Sequence, residues 1–203
     1  MYIHYAFDQF GRCVITDNGA RKDIRARLAK AQGAFARLRK IWKSQQYSLH
    51  TKIRLYNSNV KSVLLYGSEC WRVVKSDMTR VESFHNRCLR RICRIFWPNK
   101  ISNRDLYTQT GSQSIVGEIK RRRFRWLGHV LRMEENRISK VALRWTPPGK
   151  RKRGRPKTTW CRTVMDELKE GELTWGQAQH EARDRNSWRG VIEALCPRRD
   201  EED

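Results

Sequence analysis

Apolar residues recur every three or four positions along most of the chain, the spacing that places them on one face of an α-helix. The first such stripe consists of Ile24, Leu28, Ala31, Phe35, Leu38 and Trp42. A second helix is predicted from Ser48, a residue type favoured at helix N-caps, to Gly67. Residues 13–15 are the strand candidate, an apolar run followed by a turn sequence at 16–19. The pattern predicts an all-α fold with one short β element near the N-terminus.

The third predicted helix covers residues 77–96 and has two chemically different faces. At about 100° per residue, one arc collects the side chains expected in the core, namely Val81, His85, Cys88, Leu89, Ile92, Cys93 and Phe96. The opposite arc carries Arg87, Arg90, Arg91 and Arg94. Pro98 is expected to end the helix, because proline cannot continue one. One face should therefore pack, and the other should form an arginine stripe.

Shorter helices are predicted farther along the chain, at 115–132, 158–170, 175–184 and 187–195. Before them, Ser102 stands at capping-box spacing for a short helix that ends before Gly111. Thr174 has the same relation to Gln177, so it is expected to cap the helix at 175–184.

Charge narrows the choice of partner. The 203 residues include 44 Lys+Arg and 21 Asp+Glu, a net charge of +23, so the folded chain repels itself unless a polyanion neutralises it. Residues 120–157 contain 15 basic and 2 acidic side chains, a local +13. Such concentration favours a nucleic-acid-binding surface. No membrane partner is expected, because no apolar stretch approaches roughly 18 to 20 residues and the basic segments lack a bulky apolar face.

The segment 121–129 interleaves basic and aromatic residues, as a phosphate-tracking and base-stacking surface would. Trp126 shares an arc with Ile119, Leu127 and Val130, so we expect it in the core rather than on a stacking platform. We predict phosphate contacts, in preference to a merely solvated face, for Arg121, Arg122, Arg125 and Arg132.

Residues 147–157 combine proline, glycine and basic residues, a composition typical of an extended linker. The core of this segment, Arg153-Gly154-Arg155-Pro156, is similar to an AT-hook, in which arginines enter a narrow A·T-rich minor groove. A nuclear-import signal and a general basic linker are the alternatives, and we favour general nucleic-acid contact. The predicted contacts are Lys150, Arg151, Lys152, Arg153, Arg155 and Lys157.

The sequence contains no pattern typical of a catalytic or metal site. His85, Cys88 and Cys93 lack a fourth ligand at zinc-knuckle spacing and project into an apolar arc, so core packing is favoured over a metal site. No two aspartates are adjacent, whereas polymerase chemistry requires clustered carboxylates for two Mg²⁺ ions. We therefore predict no cofactor, no metal and no catalysis by the chain alone. The cysteines show no disulfide framework, and an intracellular protein with reduced thiols is expected.

Several ordered motifs resemble the C-terminal segment of non-LTR (LINE-like) retrotransposon endonuclease–reverse transcriptases. They are Asp23-Ile24-Arg25-Ala26-Arg27, Lys52-Ile53-Arg54-Leu55-Tyr56, Leu64-Leu65-Tyr66-Gly67, Asn86-Arg87-Cys88-Leu89-Arg90-Arg91-Ile92, Arg125-Trp126-Leu127-Gly128-His129, Thr174-Trp175-Gly176 and Trp188-Arg189. The resemblance covers about residues 11–196. It implies thumb helices that hold a template–primer hybrid, followed by a basic extension, without the palm that performs catalysis.

We also predict a domain layout and an intracellular, nuclear location. We expect a palm-to-thumb remnant at 1–19, a thumb-like helical bundle at 20–110, a basic helical segment at 111–146, the linker at 147–157, C-terminal helices at 158–196 and a charged tail at 197–203. Because palm, fingers and endonuclease are missing, we expect a truncated element copy or a gene model read from one. The rival interpretations are a polymerase completed by a palm in trans, a host DNA-binding protein with one AT-hook, and a non-functional open reading frame.

Overall fold

A computed structural model of the chain describes residues 19–71, 74–144 and 160–197, without the side chains of 19, 20 and 144. Within these ranges the protein is helical and contains no strand, which confirms the predicted all-α class. The helices are α1 (Gly19–Arg37), α2 (Arg39–Lys43), α3 (Leu49–Tyr56), α4 (Ser62–Leu64), α5 (Lys75–Ile92), α6 (Asn103–Thr110), α7 (Ile115–Leu131), α8 (Ile138–Arg144), α9 (Trp160–Glu170), α10 (Trp175–Glu181) and α11 (Arg185–Leu195). A π-helical turn, Asn57–Lys61, joins α3 to α4.

The chain divides into two compact units. Unit I comprises residues 21–66 and 75–118, hence α1 to α6 and the start of α7. Unit II comprises the described parts of 67–74 and 119–197, hence most of α7 and α8 to α11, together with residues 19 and 20. No helix of the described chain is long and apolar enough to cross a membrane.

Unit I is built around α5, which packs against α2, α3 and α6. The aromatic rings of Phe35 and Trp42 stack with centroids 5.1 Å apart, and Trp42 Nε1 donates to the Phe35 carbonyl at 2.8 Å. The buried Lys52 Nζ donates to the carbonyls of Trp42 and Ser44, at 3.4 and 2.6 Å. Since the last carbonyls of a helix have no partner within it, this lysine satisfies the end of α2.

Unit II closes around a separate core. Its buried residues are Phe124, Leu127, Val164, Leu168, Ala178, Ala182, Trp188, Ile192, Leu195 and Cys196. Trp188 Nε1 donates to the Phe124 carbonyl at 2.9 Å, and a β-carbon at Gly128 would lie only 2.0 Å from the same nitrogen. Gly128 is therefore required for the indole to approach the backbone of α7 this closely.

The predicted caps are confirmed. Ser48 accepts from the Thr51 amide at 3.2 Å, Ser102 accepts from Asp105 at 3.1 Å, and Thr174 forms a complete capping box with Gln177. Each cap satisfies amide groups that the first helical turn leaves without partners.

Two expectations need correction. The predicted helix 77–96 ends at Ile92, because Arg94 adopts a left-handed φ of 59°, so Phe96 lies outside the helix and is exposed. Helix α8 was not expected. The strand candidate at 13–15, residues 1–18 of the predicted junction 1–19, the linker at 147–157 and residues 198–203 of the predicted tail 197–203 lie outside the described residues.

Candidate nucleic-acid interface

Helix α5 exposes arginines from the side opposite its core contacts. Arg87 and Arg91 are exposed on the helix, and Arg94 is exposed just beyond its end. Arg80 lies on the same side and is also exposed, although its guanidinium is 3.8 Å from the Asp77 carboxylate. Arg80 is absent from the predicted contacts because it lies apart in sequence from the arginines clustered at 87–94. From Ser83 to Arg104 the sequence has six basic residues and no acidic one.

The buried side of α5 fixes which way these arginines face. His85 Nδ1 is 2.7 Å from the Tyr56 hydroxyl, and the Tyr107 hydroxyl donates to Asn86 Oδ1 at 2.7 Å. Tyr56 lies on α3 and Tyr107 on α6, so hydrogen bonds tie α5 to both neighbours. Buried polar pairs of this kind set the rotation of a helix more strictly than apolar contact does.

Burial shifts the pKa values of three side chains in this core. Desolvation, and then the nearby charge of Lys61, lowers the pKa of His85 to about 4, so the imidazole is neutral at pH 7. Burial also raises the pKa of Tyr56 well above its usual value and that of Cys88 to about 12. His85 and Cys88 are core residues, as predicted, while Cys93 is half-buried. No cluster of possible metal ligands occurs among the described residues.

Arg90 behaves differently from the arginines beside it. Its guanidinium donates to the Ile101 carbonyl at 3.2 Å and to Asn103 Oδ1 at 2.7 Å. Its own carbonyl accepts from the Ile95 amide at 2.9 Å. Arg90 therefore holds both ends of the loop between α5 and α6, and its side chain is engaged within unit I.

Two of the arginines predicted as contacts, Arg121 on α7 and Arg132 just beyond its end, hold unit II together. Arg121 Nη2 donates to the Cys196 carbonyl at 3.0 Å, and Arg132 Nη1 donates to the Ala182 carbonyl at 3.0 Å. Cys196 and Ala182 are the C-caps of α11 and α10, so each guanidinium meets the negative end of a helix. Desolvation lowers the pKa of Arg132, and the charge of Arg185 acts in the same direction. Of the other two, Arg125 is exposed and Arg122 is half-buried.

Arg123 is fully buried, which the sequence analysis missed. Its Nη1 forms an ion pair with Glu167 Oε1 on α9, while Nε and Nη2 have no hydrogen-bond partner. A signal for this burial exists in the sequence, because Arg123 projects between Ile119 and Leu127, in the middle of the apolar arc of α7. An arginine in that position must either be paired or distort the core.

Trp126 is half-buried and packs edge-on against Trp160, with centroids 5.2 Å apart. Trp160 Nε1 in turn donates to the Glu69 carbonyl at 2.9 Å. The indole of Trp126 thus contributes to internal packing, as expected, in preference to forming an open platform. The predicted contacts Lys150, Arg151, Lys152, Arg153, Arg155 and Lys157 lie outside the described residues.

Comparisons with known proteins connect the chain to mobile elements. A family described as a domain of unknown function, DUF6451, matches residues 34–66, which run from the end of α1 through α4. An uncharacterised transposon-derived protein of Caenorhabditis elegans is 28% identical over 152 residues, covering 70% of this chain and 53% of that protein. The chain thus spans about half the length of this curated relative. No solved structure matches. The similarity indicates a transposable-element origin.

Proposed function

We propose that this chain is a non-catalytic, nucleic-acid-binding segment from the C-terminal part of a non-LTR retrotransposon reverse transcriptase. The observation that carries the proposal is a row of exposed arginines, Arg80, Arg87 and Arg91 along α5 and Arg94 just beyond its end. No acidic residue lies between Glu82 and Asp105. A helix that packs on one side and presents arginines on the other suits contact with phosphate groups. The transposable-element origin and the motif order support the same assignment.

The proposed partner is a duplex, either DNA or an RNA–DNA hybrid, bound through its backbone with little sequence preference. Guanidinium groups on a helix face contact phosphates and carry no information about bases unless the helix enters a groove. Catalysis would then belong to a palm domain and not to this segment, and the basic residues 147–157 would add further contacts and favour nuclear import.

Salt dependence is the direct test of this proposal. If roughly six to eight phosphates are neutralised, the logarithm of the binding constant should fall with the logarithm of salt concentration at a slope of about −5 to −7 on B-DNA. Replacing Arg87, Arg91 and Arg94 together by alanine should make the slope shallower by about three contacts. A slope near zero for the unmodified chain would refute the proposal.

A matched control distinguishes the effect of the α5 arginines on binding from the effect of net charge. Arg137, Arg183 and Arg185 are also exposed, and their joint replacement by alanine removes the same charge from unit II. We expect this variant to keep most of the salt slope. Equal losses from the two triple variants would mean that net charge alone drives binding. Template-dependent nucleotide incorporation by the pure chain, abolished by chelating Mg²⁺, would contradict the absence of catalysis.

A further inference from the structure

The loop between α5 and α6 presents the most exposed aromatic side chains in the described chain. Trp97 is 79% exposed and Phe96 is 57% exposed. Large aromatic side chains usually dominate cores and interfaces, because each buries a large apolar area there. Two adjacent ones left in solvent mark an interaction surface.

The loop is held in place rather than merely solvent-facing. Arg90 fixes both of its ends, through its carbonyl to the Ile95 amide and through its guanidinium to the Ile101 carbonyl. Within the loop, the Asn99 amide donates to the Phe96 carbonyl at 2.9 Å, which closes a turn with Trp97 at its tip. A side chain displayed on a fixed turn loses less conformational entropy when it binds a partner.

The surroundings of the loop specify the chemistry of that partner. Lys100 Nζ lies 4.7 Å from the centroid of the Trp97 ring, and Arg94 is exposed on the N-terminal side of the pair. Arg91 is exposed one turn earlier, at the end of α5. Cations surround the exposed aromatic rings, and residues 83–104 contain no carboxylate. This combination suits a partner that carries negative charge and a planar aromatic ring.

We infer that Trp97, with Phe96 beside it, is a stacking platform for an unpaired nucleobase next to the phosphates that contact the α5 arginines. The inference rests on the proposed function and adds the class of ligand, a strand end or junction with unpaired bases. Every base has a π face, so stacking is tolerant of sequence and selects unpaired over paired positions. Trp97 supplies the stacking surface, and Arg90 is a positioning residue that holds the loop.

The experiment compares a blunt DNA duplex with the same duplex carrying a short unpaired overhang, using the full chain. A fluorescent adenine analogue in the overhang reports stacking directly. Trp97→Ala should weaken binding of the overhang substrate by about 5- to 150-fold, the range for loss of one stacked base, and should leave blunt-duplex binding and its salt slope unchanged. Trp97→Phe should retain most of the overhang preference.

Trp97→Leu distinguishes stacking from simple apolar contact. Leucine keeps an apolar side chain but has no ring, so it should behave like alanine if bases stack on this site. Wild-type overhang binding by Trp97→Leu would overturn the inference in favour of an apolar partner. Tyr47→Ala is the matched control, since Tyr47 is a 45% exposed aromatic residue of the same unit and should leave the overhang preference intact.

The outcomes separate the two proposals. Salt-dependent duplex binding, with an overhang preference that Trp97→Ala does not alter, would overturn the stacking site alone. Failure of the unmodified chain to bind any nucleic acid would overturn the proposed function and the stacking site together. Thermal unfolding of each variant checks that the fold is retained, and a side chain as exposed as that of Trp97 should tolerate all three substitutions.

Discussion

Helices α5 and α7 carry similar clusters of arginine but use them differently. On α5, Arg87 and Arg91 stay on the surface, because His85 and Asn86 hold the other side of the helix in the core of unit I. On α7 and just beyond its end, Arg121 and Arg132 donate to the C-terminal ends of two other helices of unit II. A cluster of arginines in the sequence therefore does not by itself indicate an external partner, because the ends of neighbouring helices can supply carbonyl acceptors for it.

The largest expected effect on stability comes from the buried ion pair between Arg123 on α7 and Glu167, for which α5 has no counterpart among its exposed arginines. Glu167→Gln leaves the Arg123 charge buried without its counter-charge, and we expect unit II to lose about 3–5 kcal/mol of stability. Urea unfolding followed by tryptophan fluorescence measures this loss. Glu170→Gln is the control, because the Lys120–Glu170 pair is largely exposed on the Glu170 side and should contribute little.

Replacing both partners tests whether the loss comes from an unpaired charge. A double variant with Arg123→Met and Glu167→Leu should recover most of the stability that Glu167→Gln removes, since apolar pairs can substitute for buried ion pairs. If the double variant is as unstable as the single one, the cost comes from packing at this position and not from charge.

Unit I should lose stability at acidic pH, because it contains the buried His85. The pKa of His85 falls from 6.5 in the unfolded chain to about 4 in the fold, so protons bind the unfolded state more tightly. Stability is full above pH 6.5 and decreases as the pH falls towards 4, by about 3 kcal/mol at about 1.4 kcal/mol per pKa unit. Hydrogen exchange of the α3 and α5 amides should follow this decrease.

A substitution can isolate the contribution of His85 to that decrease. His85→Gln should flatten the pH dependence of exchange in unit I, whatever its effect on absolute stability. His50→Gln, at an exposed histidine of the same unit, is the matched control. A wild-type pH profile in the His85 variant would show that other groups cause the acid response.

The smallest of these losses of stability is expected for Arg121 and Arg132, which donate to helix ends. These two residues can be compared directly with the surface arginines of α5. Arg121→Ala and Arg132→Ala should each destabilise unit II by about 1–2 kcal/mol, because each removes a charge-assisted hydrogen bond to a helix end. Arg87→Ala and Arg91→Ala should change stability by less than about 0.5 kcal/mol while weakening duplex binding. Unfolding and duplex binding should be measured for every variant. If both sets of variants had the same effects on stability and binding, the different roles assigned to them would be wrong.

The helical class and several helix starts are predictable from local sequence. Ser48, Ser102 and Thr174 cap helices as their spacing indicates, because capping depends only on residues three or four positions away. The end of α5 was predicted too late, since Pro98 suggested a stop and nothing marked Arg94 as left-handed. Residues with positive φ that are not glycine have weak sequence signals.

The roles of the arginines were only partly predictable. A helical projection shows that Arg121 and Arg132 share a side of α7, but their acceptors lie 75 and 50 residues farther along the chain. Periodicity carries no information about such partners. Arg123 was different, because its position within the apolar arc already indicated burial. The phosphate contacts predicted for the α5 arginines stay predictions.

The contact between Gly128 and Trp188 has a consequence for synthesis of the protein on the ribosome. Unit I is complete once residue 118 has emerged, whereas the core of unit II needs Trp188 and extends to Cys196, 78 residues later. At roughly 5 to 20 residues per second, this delay lasts about 4 to 16 s. During that interval the apolar face of α7 has no partner from α11, so the nascent chain is most vulnerable to aggregation and chaperone binding after its first unit has folded.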